Sequence, residues 1–190
     1  MRKTTLSVAA LFAATSVAQA NDLQPALESY MQAEISAWAN DPMLIAAVAA
    51  QNETTGAYTQ GDIDALDQAW RSEVGAADQP TITPVVTNEV AEFLRQQVAA
   101  SGGSITEIFV MDARGLNVAA SAATSDFWQG DEAKHAETFG AGADAVHFSE
   151  IEFDESSQSY QAQISFTLAD PATGAPIGAV TVGVDATALN

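Results

Sequence analysis

The apolar residues of this chain change their spacing at Ser104, and that change constrains the fold more than any other feature. Before it, they recur every three to four residues. Leu23, Leu27, Tyr30, Met31, Ile35 and Trp38 predict an amphipathic helix over 22–39, with Pro25 in its first turn. Asn40-Asp41-Pro42 interrupts it; Asp41 can cap a second helix with Pro42 at its first position, continuing through Met43 to Gln51. Asp62 can cap a third, with Ile63, Leu66, Trp70 and Val74 on one face. Thr83-Pro84 opens a fourth, carrying Val86, Val90, Phe93, Leu94 and Val98, and Gly102-Gly103 ends it.

After Ser104 the period moves towards two. Ile105 to Asp112 and Leu116 to Ser121 read as strands joined by the turn Ala113-Arg114-Gly115. Asp131 is placed to cap a short helix from Glu132 to Phe139. Three longer strands are expected over 145–153, 160–168 and 175–185, with Glu155-Ser156-Ser157 as a hairpin turn between the first two. Helices first and strands after them, with short connections, give the α+β class with a five-stranded antiparallel sheet.

The start of the chain is read separately. Arg2 and Lys3, the apolar run after them and Ala18-Gln19-Ala20 form a secretory signal peptide over 1–20, an uncleaved anchor being the alternative. That leaves one domain over 21–190 and a periplasmic or secreted location. No later run approaches the roughly 20 apolar residues of a spanning helix. There is no cysteine, so no disulfide supports the core.

The formal net charge is −19, and beyond the leader only Arg71, Arg95, Arg114 and Lys134 oppose 25 acidic residues. Such a surface repels nucleic acid and anionic headgroups. It also leaves little for clamping a di-acid, so an amine, amino acid or neutral solute is the favoured small ligand.

The order of elements resembles the extracytoplasmic single Cache sensor domain, a PAS-like fold. The stretches that carry the resemblance are Trp38-Ala39-Asn40-Asp41-Pro42, Ala69-Trp70-Arg71, IFVMDARGLNVAAS, SDFWQGDEAKH and PIGAVTVGVDAT. The resemblance implies a long N-terminal helix packed behind the sheet. It also implies a small organic ligand held between the sheet and the loop-and-short-helix segment beside it. Such domains serve chemoreceptors and histidine kinases. Because this chain ends a few residues past its last strand, the expectation is a free-standing binding or sensor protein reporting to a separate membrane histidine kinase, chemoreceptor or transporter.

Within SDFWQGDEAKH, Phe127 and Trp128 stand side by side in a loop, flanked by Asp126 and Gln129. Two readings stand: the aromatics line the pocket while Asp126 and Gln129 orient a polar ligand, or they plug the core. Opposite them His147, Ser149, Tyr160 and Gln163 are candidate contacts on the sheet, with His147 also readable as a surface or sheet histidine. Asp131 and Glu132 are assigned to capping.

No cofactor or metal is expected: Asp131 and His135 share a helical face near Glu132, but zinc needs more His or Cys ligands, and no EF-hand loop is present. No nucleophile elbow, zinc-protease motif or phosphate loop is present either, so no enzymatic activity is expected. The rival to ligand binding is an interaction protein that dimerises through the first helix, Leu23 to Trp38, leaving Met31 and Trp38 as an exposed apolar stripe.

Overall fold

The computed structural model describes residues 16–189. The leader expected over 1–20 therefore lies largely outside the described residues. The elements are α1 (Ser16–Tyr30), a π-helical turn (Met31–Ile35), α2 (Pro42–Thr55), α3 (Gln60–Glu73), α4 (Ile82–Val86), α5 (Glu89–Ala100), β1 (Ile105–Asp112), β2 (Asn117–Ala120), α6 (Ala133–Ala136), β3 (Val146–Phe148), β4 (Glu152–Asp154), β5 (Ser159–Ala169) and β6 (Pro176–Asp185), closed by a 3-10 turn at Ala186–Leu189.

The sheet is antiparallel in the order β2-β1-β6-β5-β3, with β4 also paired to β5. The strand expected over 145–153 is broken at 149–151, so six strands fill five positions. The α+β architecture is the one expected, with helices before the sheet and the first helix behind it.

Several boundaries differ from the sequence expectation for local reasons. Pro25 lies inside α1, because the helix begins at Ser16. Asp41 does cap α2, accepting from the Met43 amide at 2.8 Å. Thr59, not Asp62, caps α3; Asp62 sits three residues on and completes a reciprocal capping box. The expected fourth helix is two: Asn88 ends one turn and caps the next, its side chain accepting from the Ala91 amide at 2.8 Å. The helix expected over 132–139 closes after one turn, at Ala136, and Glu132 holds its N-cap position with no side-chain cap bond.

Alternation along the strands gives the sheet two chemically distinct faces. Ile108, Val110, Ala162, Ile164, Phe166, Val180, Val182 and Val184 point to one face and bury Leu27 and Ile35, Leu44 and Val48 of α2, and Leu94 of α5. Trp38 belongs to this core, its indole donating to the Glu34 carbonyl at 2.9 Å and its ring set edge-on to Phe93. Met31 packs against the same core. The exposed stripe that the dimerisation reading expected from Met31 and Trp38 is therefore absent: both pack onto the core that their helical spacing with Leu27 and Ile35 implies.

The other face divides in two. Over β1 and β2 it is apolar, with Phe109, Met111 and Ala179 covered by Ile63 and Trp70 of α3, Ile82 and Phe127. Over β5 and the β3–β4 edge it carries Gln161, Gln163, Ser165 and His147, and among the described residues no helix covers its outer end.

Candidate functional site

A cleft of about 570 Å³ opens over this polar part of the sheet. Its floor is Gln161 and Gln163 of β5. One wall is the broken edge strand, His147 to Glu150 and Glu152 to Asp154. The other is formed by Ser125, Asp126 and Glu132–Lys134. Three elements far apart in sequence meet here because β3 and β4 both pair with β5, while the 124–134 segment crosses over β1.

Carboxylates dominate the lining. Asp126, Glu132, Glu150, Glu152 and Asp154 all border the cleft, against one ammonium, Lys134, and the imidazole of His147. Behind the floor lies Glu107 of β1. It is buried, and it accepts from Gln161 Nε2 at 2.7 Å, Ser156 Oγ at 3.1 Å and Gln163 Nε2 at 3.4 Å. Thr106 adds a further bond to Gln161.

Electrostatics follow from this crowding. Burial, and next the Asp154 charge, raise the Glu107 carboxyl above the ordinary range. Asp126 is raised by burial and by Glu132 and Asp67, against the opposing Arg71 guanidinium. Despite the opposing effect of burial, hydrogen bonds from Ser156 and Ser157 hold Asp154 below its ordinary value. The ionised forms of Asp126 and Glu107 are therefore only partly compensated by their hydrogen bonds and neighbouring cations, and a further cation in the cleft would add to it.

The loop that delivers Asp126 is tied down on its far side. Phe127 stacks on Trp70 with ring centroids 5.2 Å apart. The Trp70 indole donates to the Thr124 carbonyl at 2.8 Å. Asp67 Oδ1 accepts from the Phe127 and Trp128 amides at 2.9 and 3.1 Å, while its Oδ2 meets Arg71, which reaches on to Asp126 at 3.5 Å. The Trp128 indole donates to the Arg114 carbonyl at 2.8 Å.

The structure thus separates the residues singled out in the sequence. Asp126, His147 and Ser149 border the cleft, as does Gln163. Phe127 and Trp128 point away from it into the apolar cluster over β1 and β2, where Phe127 also borders a second hollow of about 330 Å³ with Tyr58, Leu66 and Leu116. Gln129 is buried and bonds back to the Asp126 carboxylate and carbonyl. Tyr160 lies on the opposite face, 64% exposed and edge-on to Phe153. The period of two forbids Tyr160 and Gln163 from sharing a face, since they are an odd number of residues apart. His147 is bonded to Glu137 at 2.9 Å. Glu132, read as a capping residue, holds the N-cap position of α6 while its side chain pairs with Lys134 at 2.9 Å.

Sequence reasoning missed Glu107, Gln161 and Asp154, and named Lys134 only among the four basic residues that could clamp a carboxylate. A signal was present for the first two: Glu107 is a charge inside an otherwise apolar stretch of strand, and Gln161 shares parity with Gln163. Among the described residues no group of three His, Cys, Asp or Glu is placed to hold a metal ion. His135, paired with Asp131 as a candidate ligand, is buried, bonded to the Asp112 carbonyl and stacked on Phe139. No described helix is long and apolar enough to cross a membrane.

No family model matches this chain. No curated protein matches its sequence. Solved structures similar to it include the ligand-binding domain of the Campylobacter jejuni chemoreceptor Tlp3 in complex with 4-methylisoleucine, at 11% identity and TM-score 0.44, covering 88% of this chain and 61% of that one. Another is the sensor domain of the V. cholerae histidine kinase DctB, at 15% identity and TM-score 0.38, covering 91% and 58%. A third is the ligand-binding domain of the Pseudomonas aeruginosa amino acid chemoreceptor PctC in complex with GABA, at 14% and 0.43, covering 91% and 61%. The chain spans about three fifths of the length of these domains.

Proposed function

We propose that this protein is a non-enzymatic binding and sensor domain that takes a small organic cation, an amine or amino acid, in the acidic cleft. The carrying observation is the ring of five carboxylates around an amide-lined floor with buried Glu107 beneath it. An ammonium there gains charge-assisted hydrogen bonds and relieves carboxylate repulsion, whereas a di-acid meets like charge. In its finer form, the proposal is of an exported component, directed by the leader over 1–20, that reports occupancy to a separate membrane kinase, chemoreceptor or transporter. Asp126, His147 and Ser149 remain as proposed contacts, joined by Gln161 and Gln163.

Calorimetry and thermal melts with matched amines, amino acids and dicarboxylates test this. A ligand at a hundred times its dissociation constant stabilises by about 2.7 kcal/mol. For a chain of this size that shifts the midpoint by roughly 5–10 °C. Amines are expected to give this shift and succinate none, and Asp126→Asn should abolish most of it. Because the cation favours ionised Asp126 and Glu107, affinity should fall as pH falls through their raised range. If amines at millimolar concentration move nothing, the proposal fails.

A further inference from the structure

We propose that Lys134 is a tethered cation that occupies the ligand's ammonium position, so that binding requires its side chain to swing out. This rests on the reading of the cleft as a cation site.

The Lys134 ammonium lies 2.9 Å from a Glu132 oxygen and 3.3 Å from Gln129 Oε1. It also stands over the Phe109 ring, 5.4 Å from its centroid, so the side chain reaches across to the floor of the sheet. Only 16% of the side chain is exposed, which is low for lysine. Its charge favours the ionised forms of both Glu107, beneath the floor, and Asp154, on the opposite wall. The amine thus already supplies part of the stabilisation that a bound ammonium would give these carboxylates.

Its backbone is fixed independently. Thr138 Oγ1 donates to the Lys134 carbonyl at 2.6 Å, and the next residue, His135, is buried against Asp112 and Phe139. Displacement therefore needs only rotation about the four-carbon stem, with the main chain left in place. A plug closed about 90% of the time weakens the apparent affinity about tenfold. The opposite role, a clamp for a ligand carboxylate, predicts the opposite sign on removal.

The test compares wild-type protein with Lys134→Met, which keeps the stem and loses the charge, using n-butylamine and 5-aminopentanoate in calorimetry. The expected result is butylamine binding about tenfold tighter to the variant. Unchanged or weaker butylamine binding overturns the plug while leaving cation binding intact in the wild type. If neither protein binds either probe, the cation site and the plug fall together. A second readout uses the full chain, where Lys134 is the only lysine besides Lys3. Reductive ¹³C-methylation gives it one assignable signal, absent from the variant. Saturating butylamine should shift that signal towards the position of free methylated lysine. A signal that stays put while calorimetry records binding overturns the proposal.

Discussion

Trp70→Phe isolates the contact that holds the cleft's aspartate loop. Trp70 is fully buried, and its indole N–H is directed at the Thr124 carbonyl. Phenylalanine keeps a ring for stacking on Phe127 but removes the donor and leaves a small void. The orphaned buried carbonyl costs about 1–3 kcal/mol. The lost ring volume adds about 1 kcal/mol. The expected destabilisation is therefore roughly 2–4 kcal/mol, or a midpoint lowered by roughly 4–16 °C for a chain of this size. Urea denaturation followed by circular dichroism measures the first figure, with an unchanged slope showing that the unfolded reference is the same. The anchor also fixes the loop that presents Asp126, so amine affinity should fall in the same variant at temperatures where it is fully folded. A double cycle with Phe127→Leu should show coupling of about 0.5–3 kcal/mol, because the rings touch. A single variant within about 0.5 kcal/mol of wild type would mean that the Thr124 carbonyl finds water instead, and the anchoring argument would be wrong.

Other expectations concern charge and close approach. The Glu107 carboxyl is raised on folding, so its stabilising contribution is complete below the ordinary value of 4.5 and is lost as pH rises through its folded value. Glu107→Gln removes that loss, so denaturation at pH 4 and pH 7.5 should show the variant gaining on wild type at the higher pH; an equal gap at both would contradict the assigned burial. Gly115 has φ +79°, and an added Cβ would lie 2.4 Å from Gly130 Cα, whereas Gly75 has φ +75° and open space. Gly75→Ala should cost about 1–2 kcal/mol, the left-handed penalty alone. Gly115→Ala should exceed it by about 1–3 kcal/mol of overpacking, as read from chemical denaturation; equal losses would show that the two backbones separate freely. Asp67→Ala leaves the Phe127 and Trp128 amides without their acceptor, and should lower stability by about 1–3 kcal/mol by the same measurement. No loss there would mean that solvent replaces the carboxylate.

The α+β class, the helical first half, the Asp41-Pro42 helix start and the antiparallel strands were legible because each depends on neighbours within a few residues. Spacing sets which face of a helix or strand is apolar, and a side chain three residues away can cap a helix end. The same locality explains the errors. Asn88 interrupts a continuous apolar pattern by bonding backbone groups on both sides, including the distant Val118 carbonyl. Trp38 shares helical spacing with Leu27 and Ile35, so only the dimerisation reading left it outside; its edge-on contact with Phe93 depends on where a distant helix packs.

The site was less legible. The aromatic pair Phe127-Trp128 drew attention to the right loop, yet its value there is anchoring, and the polar neighbour Asp126 is what reaches the cleft. Parity within β5 was enough to place Gln161 with Gln163 and to exclude Tyr160. No spacing rule could bring Glu107, Lys134 and Asp154 together, since their proximity depends on which strands pair and on how the 124–134 segment crosses the sheet. The sequence by itself determined most of the elements, the two chemical faces of the sheet and the excess of acid. Only the tertiary structure decided that this acid converges over one uncovered stretch of strands with a single lysine among it. The physical reason is range: hydrophobic period and capping act between chain neighbours, whereas a cleft exists only where distant segments fail to fill the space between them.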